Sequence, residues 1–183
     1  MFDSDGLGKL SERRLSMNVE TEAGLMKLKN RADETEMKKE ERETIRVYQF
    51  SFRVSEDVLD ENGHVNNVVY VQWMQDAATK HAEAAGCLQA TKAAGATWVA
   101  RSHQIEYLRP LYAGDEVCVM TWVSDFRKLR SLRKYKFIRP SDNVVLAQGA
   151  TEWVLMDIQS KRPRRISEEV KGALMLVPEA QEP

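Results

Sequence analysis

Cysteine is scarce in this chain of 183 residues, and charge of one sign does not prevail. Its two cysteines, Cys87 and Cys118, lie far apart and in no CxxC spacing, so neither a disulfide framework nor a zinc site is indicated. The three histidines, His64, His81 and His103, show no metal-ligand spacing either. No metal and no cofactor is expected. A formal net charge of −1 removes the bulk positive charge on which general binding to nucleic acid or anionic membranes relies. No run of about 18 consecutive apolar residues is present, and the first thirty residues hold no apolar stretch fit for a signal peptide. These absences predict a soluble, cytoplasmic protein with reduced thiols.

What is present, 43% hydrophobic and 30% charged residues, suits one globular domain with a good-sized core. Residues 1–43 read as a charged N-terminal extension, almost without aromatic residues after Phe2. Within it the run from Asp33 to Glu43 has acid and base pairs at helical spacing, which allows a solvated helix, marginal in isolation. Met17, Met26 and Met37 leave later starts open. Residues 44–176 read as the domain, and residues 177–183 as a C-terminal tail.

Within the domain, alternation from Arg46 to Val54 predicts a first strand. Val69, Trp73, Ala77 and Ala84 then recur at helical spacing, between an N-cap at Asn66 or Asn67 and a stop at Gly86. A short helical turn over Cys87–Ala94 follows, ended by Gly95. Strand candidates run over 97–108, 116–123, 131–138 and 144–157, with turn residues between them. One long helix followed by four closely connected strands predicts an α+β fold with an antiparallel sheet.

The densest set of reactive side chains lies directly before the long helix. Asp60, Asn62 and His64 fall within five residues, and Gly63 permits a tight turn. The first turn of a helix carries unpaired N–H groups and partial positive charge, which suit a developing oxyanion. An acid beside such a site suggests acyl chemistry, although the same residues also serve as turn formers and caps. From Arg127 to Arg139 the chain holds seven basic residues and no acid among them, a local positive patch. Arg130 and Arg133 in it are candidates for gripping phosphate, against the alternative of a solvated strand. Trp98, Trp122 and Trp153 read as core or interface residues, and Cys87 as a buried apolar one.

The segment Asp60-x-Asn62-x-His64-Val65-Asn66-Asn67-x-x-Tyr70-x-x-Trp73 resembles the active-site segment of hotdog-fold thioesterases. The likeness is to acyl-CoA thioesterases of the 4-hydroxybenzoyl-CoA type and to acyl-ACP thioesterases. Ile105-Glu-Tyr-Leu-Arg109-Pro110, Gly114-Asp-Glu-Val117 and Arg162-Pro-Arg-Arg165-Ile166 resemble later parts of the same family, so the likeness runs from about Arg46 to Leu174. It implies a curved antiparallel sheet wrapped around one long central helix. It also implies a homodimer or homotetramer with the acyl crevice at the subunit interface.

In these terms Asp60 is the nucleophile or general base, and Asn62 and His64 orient water or the thioester. Backbone N–H groups near Asn66 and Asn67 hold the oxyanion, and Tyr70, Trp73, Arg130 and Arg133 are expected to contact substrate. The ACP-specific relatives add a Glu or Cys on the following long strand. Neither occurs at the corresponding place near Tyr107, and Glu106 falls at a neighbouring position. The expected substrate is therefore acyl-CoA rather than acyl-ACP. A hydratase or dehydratase on the same fold, and a non-catalytic acyl-thioester binder, are the rival readings.

Overall fold

The computed structural model describes residues 45–183; the expected extension over residues 1–43 lies outside the described residues. Five strands form one antiparallel sheet in the order β1-β3-β4-β5-β2. They are β1 (Val47–Arg53), β2 (Ala96–Tyr107), β3 (Glu116–Phe126), β4 (Arg130–Arg139) and β5 (Val144–Asp157). The long helix α1 (Asn67–Ala84) and the short helix α2 (Cys87–Ala93) connect β1 to β2. A third helix, α3 (Glu168–Gly172), follows β5 and is capped by the Ser167 side chain. The α+β hotdog arrangement expected from the resemblance is present, as a curved sheet packed on one long helix.

Alternation decides which side chains meet the helix. Along β4, Ser131, Arg133, Tyr135 and Phe137 are buried on the helix side, while the residues between them face the other way. Register aligns Phe137 with Val119 of β3 and Ala147 of β5, building the main core with Tyr70, Met74 and Ala77 of the helix. The buried stripe of α1 is Tyr70, Met74, Ala77, Ala78 and His81. The expected stripe was turned by about one residue: Val69 and Trp73 are only half-buried and Ala84 is exposed. Two close fits explain the rotation.

The first fit is Met74 over Gly149. Gly149 lies in the middle of β5, opposite Tyr135 on one side and Ile105 on the other. A Cβ there would stand 2.9 Å from the Gln104 carbonyl oxygen and 3.2 Å from the Met74 sulfur. Only a glycine lets the helix approach this closely. The second fit is polar. Arg133 Nη1 donates to His81 Nδ1 at 2.8 Å and to Thr121 Oγ1 at 3.2 Å. With Nδ1 accepting, His81 Nε2 carries the proton and donates to the Ile45 carbonyl at 3.1 Å. Burial first, and then the Arg133 charge, push the His81 pKa down to about 4.

This placement corrects the expected basic patch. Arg133 is 4% exposed and faces the helix, whereas Arg130, Lys134 and Lys136 face the opposite side of the sheet. Acids from elsewhere in the chain meet most of the patch. Arg130 pairs with Glu152 at 3.1 Å, Arg127 with Asp125 at 3.0 Å, Lys134 with Glu182 at 2.7 Å and Arg139 with Asp142 at 2.9 Å. Arg130 and Arg133 thus form no common phosphate grip, because a strand sends positions of opposite parity to opposite faces.

The C-terminal residues are part of the packed fold rather than a tail. Val177 is buried and its N–H donates to the Val123 carbonyl at 2.9 Å, while Lys136 meets the Pro183 carbonyl. A second core of Cys87, Leu155, Ile166, Val170 and Leu174 closes the end of the domain around α2 and α3. Trp122 and Trp153 are buried as expected, and Trp98 donates its indole N–H to Thr91 Oγ1 at 3.2 Å.

Two measurements check these fits. Gly149→Val should lower unfolding free energy by about 1–3 kcal/mol, the usual cost of overpacking a tight core, read as a fall in urea midpoint; an unchanged midpoint would mean that helix and sheet do not touch there. As pH falls from about 6.5 toward about 4, the unfolded chain takes up a proton that folded His81 resists, so stability falls by up to ~1.4 kcal/mol per pH unit. His81→Gln, which can keep both hydrogen bonds, should have the shallower pH dependence in urea titrations between pH 7 and 5. Equal slopes in the two proteins would contradict this placement of His81.

Candidate active site

A tight turn holds Asp60 just ahead of the long helix. The Asp60 N–H donates to the His64 carbonyl at 2.7 Å, and the Gly63 N–H donates back to the Asp60 carbonyl at 3.0 Å. Gly63 adopts φ +74°, where a side chain would be strained. Inside this turn, Asp60 Oδ1 accepts the backbone N–H of Asn62 at 2.8 Å and of His64 at 3.3 Å. Oδ2 accepts no hydrogen bond among the described residues. Partial burial pushes the Asp60 pKa up. The N–H groups of Asn62 and His64, the Asn62 side chain and the His64 charge outweigh that and hold the carboxyl below the usual range.

Three backbone contacts fix the path from the turn into α1. Val65 N–H donates to the Leu111 carbonyl at 2.9 Å, and Asn66 N–H to the Val58 carbonyl at 3.0 Å. Asn66 is the N-cap, with its side-chain oxygen accepting the Val68 N–H at 3.0 Å. These contacts divide the two expected oxyanion donors. The Asn66 N–H is committed to Val58, whereas the Asn67 N–H, first in the helix, has no acceptor among the described residues. One of the two positions therefore remains able to meet an oxyanion.

Aromatic packing sets the walls. The His64 ring lies edge-on to Tyr112, with centroids 5.1 Å apart. The Tyr107 hydroxyl donates to the Asn67 carbonyl at 3.1 Å and its ring meets Tyr70 at 5.2 Å. Tyr70 is 3% exposed and belongs to the core, against Trp73 and Phe137. Its pKa is pushed up to about 12, by burial first and then by Tyr107 and Asp115, so it keeps its proton. Trp73 is half-buried, edge-on to Phe52 at 4.9 Å. Tyr70 and Trp73 thus shape the site from beneath, and Tyr70 presents little surface to a substrate.

Glu106 lies on the opposite face of β2 from Tyr107 and accepts from Gln148 Nε2 at 2.6 Å. The helix-facing residues of this part of β2 are His103, Ile105 and Tyr107; none is a carboxylate or a thiol. Sequence reading missed the part played by Tyr107 and Tyr112. Their only signal was their place on either side of Pro110, where the chain leaves β2. Val68, Tyr107, Leu108 and Tyr112 expose apolar surface around the helix start. Among the described residues no group of three or more His, Cys, Asp and Glu side chains could hold a metal, and no helix is long and apolar enough to cross a membrane.

Comparison with known structures finds the same fold in several thioesterases. YbaW, a probable thioesterase of Escherichia coli, superposes with a TM-score of 0.65 at 19% identity, over 68% of this chain and 94% of that one. A 1,4-dihydroxy-2-naphthoyl-CoA thioesterase of Synechocystis gives 0.63 at 16% identity, over 70% and 95% of the two chains. The 12:0-ACP thioesterase of Umbellularia californica gives 0.64 at 21% identity, over 70% of this chain and 51% of that one, so the present chain spans about half of that relative. No curated protein matches in sequence. A family model described as the thioesterase-like superfamily matches residues 54–174, more than half of the sequence and including the whole Asp60 turn and α1. The chain therefore belongs to the thioesterase-like superfamily.

Proposed function

We propose that the protein hydrolyses acyl-CoA thioesters to a carboxylic acid and free CoA, with Asp60 as general base or nucleophile. The observation that carries this reading is the Asp60 carboxylate, held by two backbone N–H groups in the turn that leads into α1, where neither Oδ2 nor the first helix N–H has a hydrogen-bond partner among the described residues. As general base, Oδ2 takes a proton from water while the water oxygen bonds to the thioester carbon. The carbonyl oxygen, now negative, is held by the Asn67 N–H. Collapse of the tetrahedral intermediate breaks the C–S bond, and the proton on Asp60 passes to the departing thiolate. In the nucleophilic variant Oδ2 bonds to the thioester carbon, the C–S bond breaks and CoA leaves as thiolate to take a proton from water; a second water then opens the resulting anhydride, releasing the acid and restoring the Asp60 carboxylate.

The donors that keep Asp60 ionised also weaken it as a base. Bound substrate would exclude water from the half-buried carboxylate and raise its basicity again. His64, stacked edge-on against Tyr112, would orient the attacking water, and Asn62 supports the turn. The absence of a carboxylate or thiol on the helix-facing side of β2 favours CoA over ACP as carrier. Burial pattern supports an assembly: from Arg101 to Tyr107 the edge strand β2 is exposed on both faces, apart from half-buried Ile105. An unpaired, two-sided edge invites the same strand of a second copy. A homodimer, or a homotetramer of such pairs, would place the exposed Val68, Tyr107 and Leu108 at the subunit boundary and form the acyl crevice there.

Thiol release measured over short, medium, long and aromatic acyl-CoAs and over acyl-ACPs tests the reading. Turnover should be fastest with CoA substrates, and Asp60→Asn should lower it by orders of magnitude while the protein stays folded. Release confined to acyl-ACP would change the carrier, and near-normal turnover in Asp60→Asn would remove Asp60 from the mechanism. No release from any thioester would overturn the hydrolase reading and leave hydration or binding without turnover.

A further inference from the structure

A second concave site lies at the other end of α1. A cavity of about 310 Å³ opens between the C-terminal half of α1, helix α2 and strands β2, β4 and β5. Ala82 on its wall is fifteen residues past Asn67, roughly 22 Å along a helix rising 1.5 Å per residue. Ala82, Leu88, Trp98 and Leu174 make its surface mainly apolar.

One buried cation interrupts that surface. Arg133 is 4% exposed, and its recorded acceptors, His81 Nδ1 and Thr121 Oγ1, are both neutral. Among the described residues no carboxylate pairs with it. Trp153 lines the cavity beside it, with its indole nitrogen closed off from the cavity surface. Register places the pair together: Arg133 is opposite Thr151 and Ser131 opposite Trp153, so Arg133 and Trp153 are diagonal neighbours on one face. The Tyr135 hydroxyl, next along that face, is buried beside Thr151 and the Trp153 indole.

A guanidinium keeps its charge even when buried, and a buried charge without a counter-charge costs several kcal/mol. The partner that Arg133 lacks among the described residues is an acceptor with negative charge, which a carboxylate supplies through two oxygens. Lys92, exposed on the cavity wall, adds a second positive charge. The apolar remainder suits a hydrocarbon body, and the volume lies at the small end of the usual range of ligand pockets, roughly 300–1,000 Å³. We propose that this cavity binds a small apolar monocarboxylic acid, with its carboxylate on Arg133 and its hydrocarbon part against Ala82, Leu88 and Trp98. The site is separate from the chemistry at Asp60 and stands whether or not Asp60 is catalytic.

Calorimetric titration of the full chain with sodium octanoate, and separately with 1-octanol, below micellar concentrations, tests this site. Octanoate should bind saturably at one per chain, at least ten-fold more tightly than the alcohol, and Arg133→Met should abolish that preference. Because removing Arg133 also disturbs His81 and Thr121, Ala82→Leu provides a variant that keeps every polar group and fills the cavity. It should weaken octanoate by at least ten-fold with an unchanged unfolding midpoint. Equal binding of acid and alcohol, wild-type affinity in Ala82→Leu, or no saturable octanoate binding would each overturn the proposal.

Discussion

The contact on which the structure depends is the close approach of α1 to the sheet, where Met74 covers the bare backbone of Gly149. Sheets and helices pack only as near as their side chains allow, and interiors at crystal-like density leave no slack to absorb a shift. With Met74 fixed on Gly149, Tyr70 comes to lie one turn earlier between Tyr107 and Phe137. His81, about two turns later, meets Arg133 on β4. The helix is thereby held in rotation and along its axis, and its N-terminus is set beside the end of β2.

That fixed N-terminus gives the polar turn its chemical meaning. An Asp that accepts two backbone N–H groups is ordinary turn chemistry. The same turn leads into a helix whose first N–H has no acceptor among the described residues, beside His64, Tyr107 and Tyr112, and the proposed mechanism uses the carboxylate and that N–H on one thioester. In the proposed mechanism two effects are opposed: the donors that orient Asp60 also hold its pKa down, so its basicity would depend on the exclusion of water by the substrate. The solved structures with this fold include a 12:0-ACP thioesterase and a 1,4-dihydroxy-2-naphthoyl-CoA thioesterase, so the fold by itself does not select the carrier, and the proposed preference for CoA rests on individual side chains of β2.

Much of this was legible in the sequence because it rests on local rules. The strand from Val47 followed from alternation, that from Val144 from a long run bounded by turn residues, the helix start from a cap at Asn66 or Asn67, and the turn from Gly63 between polar residues. Long-range register was not legible. Arg130 and Arg133 read as one patch by proximity, yet strand parity puts them on opposite faces, and the acids that pair with Arg130 and Lys134 come from Glu152 and Glu182. Gly149 carried no turn signal, since its role is a contact with a helix more than seventy residues earlier. The commitment of the Asn66 N–H to Val58 likewise depends on a fold-back that composition does not encode.

The most direct test of Asp60 as the reacting group is the pH dependence of kcat/KM, which reports the ionisation of the free enzyme. It should be measured in initial rates on protein kept at pH 7 and diluted into each assay buffer. With Asp60 as the base or nucleophile, held below the usual carboxylate range, kcat/KM should stay level from pH 7 to 5 and fall only below about 4. A descending limb between pH 7 and 6, near the ordinary histidine value of about 6.5, would instead assign the chemistry to an imidazole and contradict the role given to Asp60.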